Sequence, residues 1–343
     1  MPGNLSTPAA PGDSLAPAMD GMMRSARLAA PRRWELLEQE IPEPGEGMML
    51  VRLRRTAICG TDKPAWVGLA GEYPLQPGAS GHEAMGTVAA CPSGRYAEGE
   101  QVLLYGFDRP LYQEYCLAAD DGCCIRLPAD AEPEVVLMSQ LFGTVLHAFY
   151  KLGNLIGQDV VVIGQGPVGQ LFNAALRNLG ARRIIAVDPL AHRRELAPRM
   201  GATHALAPGD DLRDQVLGIT EGELPHMVVE AVGLESTFHL AADLVRHRGT
   251  ILYFGVPNKE PGRGVMSLNF LRMFGNETRI VTTVGPDPHA DYATALQWIT
   301  EGRIDVRPMI THVLPFERIQ QAFEIAFEEP AAHGAVKVVL SFE

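Results

Sequence analysis

The stretch DVVVIGQGPVGQLFNAALRNLG, residues 159–180, decides the fold. Residues 159–164 form a short apolar run rich in β-branched side chains, the pattern of a strand buried on both faces. Val168, Leu171, Phe172, Ala175, Leu176 and Leu179 then fall at i, i+3, i+4, i+7, i+8 and i+11, which is one apolar face of a helix. Pro167 stands near the first turn of that helix and Gly180 just past its end, the positions that suit each residue. The spacing predicts a buried strand, a glycine-rich turn and an amphipathic helix in succession.

Downstream the alternation repeats. Strand-like runs stand at RIIAVD (183–188), THAL (203–206), HMVVEAV (226–232), TILYFG (250–255) and RIVTTVG (279–285), with helical patterns between most of them, clearest over 235–248. With 159–164 this makes six strands joined by crossovers, the inventory of a doubly wound parallel α/β sheet. After 285 the sequence predicts a helix near 290–301, the β-like MITHVLPF (309–316), a helix over 317–328 and a closing strand, AVKVVLSFE (335–343). From about 24 to 150 the texture differs. Gly and Pro break that part into short strand-like pieces such as MMLVRLRRTAICG (48–60) and AMGTVAAC (84–91), as in an irregular β-rich domain. The domain organisation expected is a disordered tail over 1–22, a β-rich domain from 23–145 and 286–343, and a doubly wound domain over 146–285.

Composition agrees with two domains. At 343 residues and 46% hydrophobic, the chain is longer than one core usually organises and has apolar side chains enough for two. Lys and Arg number 29 against 41 Asp and Glu, and the net charge of −12 excludes a sequence-wide attraction to nucleic acid or to an anionic membrane. No apolar run reaches the roughly 18 residues that span a bilayer. Five cysteines (Cys59, Cys91, Cys116, Cys123 and Cys124) make no even disulfide framework, so a reducing, cytoplasmic setting is expected. Residues 1–22 are rich in Pro, Ala, Gly and Ser and hold no basic residue, unlike a secretory signal or a transit peptide.

Gly164-Gln165-Gly166-Pro167-Val168-Gly169 reads G-x-G-x-x-G, directly after a predicted strand and opening a predicted helix. The first glycine allows the tight turn, the second lets backbone approach a pyrophosphate, and the third lets helix pack on strand. The free N–H groups of the helix N-terminus then face the phosphates. Glycine-rich turns also occur for packing alone, but here the flanking strand and helix are both present, and an acid follows. Asp188, 19 residues after Gly169, ends the second strand, where a carboxylate accepts ribose hydroxyls and repels a 2′-phosphate. That pattern favours NAD. His192, Arg193 and Arg194 leave NADP as the lesser alternative, because a nearby Arg accommodates a 2′-phosphate, although the three equally suit a solvated helix face.

Two short motifs stand in the first domain, Cys59-Gly60-Thr61-Asp62 and Gly81-His82-Glu83. Alone, a Cys is most often a small buried hydrophobe and a His a satisfied core imidazole. Placed before a GxGPVG strand–helix turn, the pair resembles the zinc-dependent medium-chain alcohol and polyol dehydrogenases, over essentially the whole of 24–343. The resemblance implies a GroES-like fold for the β-rich catalytic domain and a Rossmann fold for the six-stranded one. It implies that Cys59 thiolate and His82 imidazole bind one catalytic zinc, with Asp62 behind the metal orienting His82. It gives Thr61 the hydroxyl that passes on the substrate proton, and Glu83 the acid that transiently replaces a zinc ligand. Thr144 would lie against the nicotinamide, with Ala231 and Gly233 of Glu230-Ala-Val-Gly and Val256 of Gly255-Val-Pro lining it. Arg193 would contact the adenosine and Lys337 the pyrophosphate.

The chain departs from that family's pattern in three places. The third protein ligand is a Glu or a Cys in many members, and aligning QLFGTVLHA (140–148) puts Gln140 there, a neutral and weaker donor. Pro64 stands where the family's proton relay often ends in a His. Cys116, Cys123 and Cys124 cannot reproduce the four-cysteine spacing of the structural-zinc lobe, so one zinc per chain is expected.

Together these features predict a zinc-dependent, NAD(H)-linked dehydrogenase of a small secondary alcohol, a polyol, sugar or cyclitol. Two competitors differ in chemistry. A zinc-free enone or quinone reductase of the same fold would lack the Cys59 and His82 motifs, and a non-catalytic dinucleotide-binding protein is favoured by Gln140 alone. Glu114, Tyr115 and Asn269 are polar candidates for substrate hydroxyls, and equally suit surface or packing roles. A homodimer or homotetramer is expected through the last strand of the dinucleotide sheet, where TILYFG and RIVTTVG are apolar.

Overall fold

The computed structural model describes residues 21–106, 109–121, 124–257 and 264–343. Residues 1–20 of the predicted tail and Cys123 lie outside them, and Met22, placed in the tail by composition, already begins a strand.

The chain opens with an antiparallel pair, β1 (Met22–Ala30) and β2 (Arg33–Glu40), followed by β3 (Met48–Ala57) and a short helix α1 (Lys63–Val67). Next come β4 (Glu83–Ala90), β5 (Gln101–Tyr105), β6 (Tyr115–Ala119), β7 (Ile125–Arg126) and the long helix α2 (Pro133–Phe149). Sequence patterning did not show α2, and its burial explains why. Twelve of its residues, between Val135 and Ala148, are buried, so no polar stripe marks a helical period. The helix packs on β3, β4 and β5 and also on the helix that follows the glycine turn, joining the two halves of the molecule.

The second half contains β8 (Asp159–Ile163), α3 (Pro167–Asn178), β9 (Arg183–Val187), α4 (Ala191–Leu196) and β10 (His204–Leu206). It continues through α5 (Leu212–Ile219), β11 (Met227–Glu230), α6 (Glu235–Leu244), β12 (Thr250–Tyr253), α7 (Phe270–Gly275) and β13 (Arg279–Thr282). All six predicted strands form, a little shorter than their apolar runs. They are parallel in the order β10-β9-β8-β11-β12-β13, the doubly wound arrangement with its switch point between β8 and β11. Val160, Val161 and Val162 in β8 are wholly buried, as a central parallel strand covered on both faces requires.

The remaining elements are α8 (Ala293–Thr300), β14 (Ile310–Pro315), α9 (Ile319–Phe327) and β15 (Lys337–Ser341). β15 returns to the first sheet and runs antiparallel to β3, with β14 parallel beside it. That sheet has the order β14-β15-β3-β4-β5-β7, and β6 also pairs with β3. The helix α8 packs on α2.

Candidate active site

Antiparallel pairing of β3 with β4 sets Thr56 opposite Ala84, so the turn after β3 and the start of β4 meet at one end of the sheet. Thr56 Oγ1 donates to the Glu83 carbonyl at 3.0 Å and fixes that junction. Cys59 lies just beyond β3, while His82 and Glu83 enter β4. Their ligand atoms all lie within 4.8 Å of one another, the single such His/Cys/Asp/Glu cluster among the described residues.

Asp62 is buried and organises this corner. Its Oδ2 accepts the Cys59 N–H at 2.8 Å and the Tyr112 hydroxyl at 2.9 Å, and its Oδ1 accepts Ser80 Oγ at 3.2 Å. The carboxylate faces His82 Nδ1 at 3.9 Å, which is proximity and not a hydrogen bond. The other ring nitrogen, Nε2, faces inward, 3.2 Å from Thr61 Oγ1 and 3.8 Å from Glu83 Oε1. Burial alone would lower the His82 pKa, yet Cys59, then Asp62 and Glu83, pull it up to about 10. Three acidic groups around one buried imidazole make a corner that attracts a cation.

Gln140 and Glu83 carry the two further oxygens of interest. Gln140 is buried on α2, its Nε2 donates to Tyr292 Oη at 3.4 Å, and its Oε1 has no hydrogen-bond partner. Glu83 Oε1 is likewise buried without one, while Oε2 accepts the Lys337 ammonium at 2.7 Å. Burial opposes ionisation of Glu83, but Lys337 and then His82 hold its carboxyl below the usual range. An orphaned buried Glu83 oxygen beside a Cys and a His, with a second orphaned oxygen on Gln140 of the helix packed against β3 and β4, fits a divalent cation such as zinc, whose ligand set is drawn from S, N and O donors. Lys337, matched by resemblance to the pyrophosphate, is 1% exposed, and its Nζ donates to Glu83 and to the Ile58 carbonyl at 3.1 Å. Pro64 is buried at the start of α1.

At the glycine turn, Gly164 has φ +90°, and a side chain on Gly169 would collide with the Gly164 carbonyl oxygen. Gly166 is the N-cap of α3, with Pro167 and Val168 opening its first turn and no side chain capping it. That leaves a cradle of backbone N–H groups fitting a pyrophosphate. Asp188 is buried at the end of β9, its Oδ2 accepting the Gln165 N–H at 2.7 Å and its Oδ1 the Leu190 N–H at 2.8 Å. Arg193 Nη1 lies 3.9 Å from Asp188 Oδ2, and its Nε is buried without a hydrogen-bond partner. Burial lowers the pKa of this guanidinium against the pull of Asp188.

Glu230, at the end of β11, shapes the next turn. Its Oε1 accepts the Val232 and Gly233 N–H groups, each at 2.9 Å, and Thr237 Oγ1 at 2.7 Å, which places Ala231 and Gly233 beside Gly164 and Val256. Thr144 lies one turn beyond Gln140 on α2, its hydroxyl donating to the Leu141 carbonyl at 2.7 Å. Of the polar candidates for substrate, Glu114 pairs with Arg24 at 2.6 Å and Asn269 caps α7, while Tyr115 lies in β6 opposite Arg52. Glu114 and Asn269 therefore have structural employment. Sequence reasoning missed Tyr112 and Tyr292. Tyr112 has no local signal, whereas Gly143, against which Tyr292 packs, marks a close approach one turn after Gln140.

Comparison with known proteins agrees with this geometry. The alcohol dehydrogenase GroES-like domain family matches residues 45–163, and the zinc-binding dehydrogenase family matches residues 167–301. An L-threonine 3-dehydrogenase of Shewanella pealeana is 28% identical over 316 residues, covering 82% of this chain and 90% of the relative. Among solved structures, L-idonate 5-dehydrogenase from Escherichia coli superposes with a TM-score of 0.79 at 23% identity, covering 94% of this chain and 98% of that one. A putative zinc-binding dehydrogenase from Sinorhizobium meliloti bound to NADP gives 0.80 at 22%, covering 93% and 99%. No helix among the described residues is long and apolar enough to cross a membrane. With both halves matched in order along the chain, it belongs to the zinc-dependent medium-chain dehydrogenases, oxidoreductases that act on CH–OH groups.

Proposed function

We propose that this protein oxidises a secondary alcohol, carried by a polyol, sugar or cyclitol, to the carbonyl with NAD as hydride acceptor and one zinc per chain. The observation that carries it is the cluster of Cys59, His82 and Glu83 at the end of the first sheet, against whose strands β3 and β4 packs α2, the helix that bears Gln140 with its unpartnered oxygen and that also packs on α3 of the glycine turn. Zinc, when bound, supplies Lewis acidity to the alcohol oxygen, and nicotinamide takes the hydride. Cys59, His82 and Gln140 would hold the metal. Asp62 stands 3.9 Å behind His82 Nδ1 and would orient the ring, and Thr61, in contact with His82 Nε2, would accept and pass on the hydroxyl proton. The Asp188 carboxylate supports NAD over NADP at the ribose.

Self-association through β13 fits the same protein. Among the described residues the strand pairs with β12 alone, and Phe270 (67% exposed), Leu271 (80%) and Phe274 (72%) lie exposed on α7, which precedes it in the chain. A reducing, cytoplasmic setting, expected from the odd count of five cysteines, belongs to the same proposal.

Zinc analysis of the purified chain and NADH formation from a panel of acyclic polyols, aldoses, cyclitols, L-threonine and simple secondary alcohols test the proposal together. About one zinc per chain, lost on Cys59→Ala or His82→Ala along with NADH formation, is the expected result. Activity on enones or quinones without metal, or dinucleotide binding with no turnover of any alcohol, would overturn it.

A further inference from the structure

We propose that Tyr292 is the positioning residue that turns the Gln140 amide so that its oxygen, not its nitrogen, faces the metal donors. The inference rests on Gln140 being the third donor, as proposed above. Tyr292 is 4% exposed, and its Oη accepts Gln140 Nε2–H at 3.4 Å, the side chain's one hydrogen bond among the described residues. The tyrosine is itself held. Its ring stands edge-on to Tyr105 at 4.9 Å between centroids and packs on α2 where Gly143 leaves room. Its neighbour Asp291 accepts from His147 Nδ1 at 2.9 Å and from the Asp287 N–H at 2.7 Å, clamping the segment to the same helix. Tyr105 is in turn the register partner of Glu83, which closes the ring of contacts back to the donor cluster.

An amide at this position has a difficulty that an acid lacks. Rotated by half a turn, a Gln side chain presents NH₂, which has no lone pair to give a cation. A carboxylate has two equivalent oxygens and cannot be presented backwards. A neutral third donor therefore needs an anchor for its nitrogen, and the Tyr292 hydroxyl, acting as acceptor, supplies it.

The test is a cycle of full-length chains: the parent, Tyr292→Phe, Gln140→Glu and the double variant. Zinc affinity is measured by competition with a chromophoric chelator, and the denaturation midpoint of each metal-free protein is recorded beside it. Phe keeps the ring against Tyr105 and Gly143, so the fold is retained. Tyr292→Phe should weaken zinc roughly tenfold in the Gln140 chain, in line with other residues that orient metal ligands. In the Gln140→Glu chain the same change should cost no more than about twofold, because the carboxylate needs no orienting. Equal weakening in both backgrounds, or none in the first, would overturn the positioning role. Gln140→Ala separates the two layers. If it leaves zinc affinity unchanged, Gln140 is no donor, and its place in the ligand set falls together with the role of Tyr292; if it weakens zinc while Tyr292→Phe does not, only the role of Tyr292 falls.

Discussion

Lys337, on the strand that closes the first sheet, donates its ammonium to Glu83 Oε2 at 2.7 Å, 254 residues away in sequence, and both side chains are sealed from solvent. The pair neutralises the carboxylate that clusters with the Cys59 and His82 ligand atoms. It also makes the donor cluster depend on β15 being docked, since Lys337 additionally holds the Ile58 carbonyl next to Cys59.

Breaking that pair should be costly. Lys337→Met leaves a buried carboxylate without its counter-ion, a defect that typically costs about 3–5 kcal/mol. The metal-free variant is therefore expected to unfold at markedly lower urea concentration. Glu83→Gln combined with Lys337→Met removes both charges and should recover much of the loss. Equal instability of the single and double variants would show that packing, and not the unpaired charge, is at fault.

Cofactor choice turns on Asp188. Its carboxylate pins the Gln165 amide and stands at the end of β9, so NAD should exceed NADP by at least about tenfold in kcat/KM, close to 1.4 kcal/mol. Comparable use of the two would mean that Arg193, 3.9 Å from Asp188 Oδ2, governs the ribose site.

Asp159 offers a pH-dependent test of the dinucleotide sheet. It is buried at the start of β8, where Arg182 Nε donates to it at 2.9 Å and Arg183 at 3.3 Å. Burial opposes its ionisation, but the Arg182 hydrogen bond and charge hold its pKa below the usual carboxylate range. A depressed folded pKa adds stability that is present above the unfolded value near 4 and is lost as pH falls through the folded one. Asp159→Asn should therefore lower the denaturation midpoint at pH 7 and leave it less sensitive to acid than the parent. Parallel acid limbs for the two proteins would refute this.

Phe274→Asp tests self-association. A charge at a position 72% exposed should leave the monomer fold intact and shift sedimentation from dimer or tetramer to monomer. Unchanged assembly would place the interface elsewhere.

The dinucleotide half was legible because its signals are local. A β-branched run, a glycine turn and an amphipathic helix lie side by side in 159–180, and the five later strands repeat the theme. The motifs around Cys59 and His82 were legible only as a pair of motifs joined by resemblance. Helix α2 was not, since a helix with most of its residues buried carries no polar period. The supports of the donor cluster were hidden for a different reason. Tyr112, Tyr292 and Lys337 reach Asp62, Gln140 and Glu83 over 50, 152 and 254 residues, distances at which no spacing rule operates.

Gln140→Glu bears most directly on the electrostatics of the site. With Cys59 as thiolate, His82 and Gln140 neutral, and Glu83 matched by Lys337, the donors carry a single negative charge against a divalent cation. The centre is net positive, and a Glu at 140 would cancel that charge. Zinc should then be held more tightly. The reacting hydroxyl, facing a less positive centre, should ionise less readily, because nearby positive charge is what favours the anionic form. The pH profile of alcohol oxidation is thus expected to move upward by about one unit, equivalent to roughly 1.4 kcal/mol. The control is the double variant Glu83→Gln, Lys337→Met, which removes a balanced pair and should leave the profile in place. If Gln140→Glu leaves the profile unmoved while the double variant shifts it to lower pH, Glu83 and not position 140 sets the charge felt by the substrate. Bound zinc counted in each variant ensures that the profiles compare loaded enzymes.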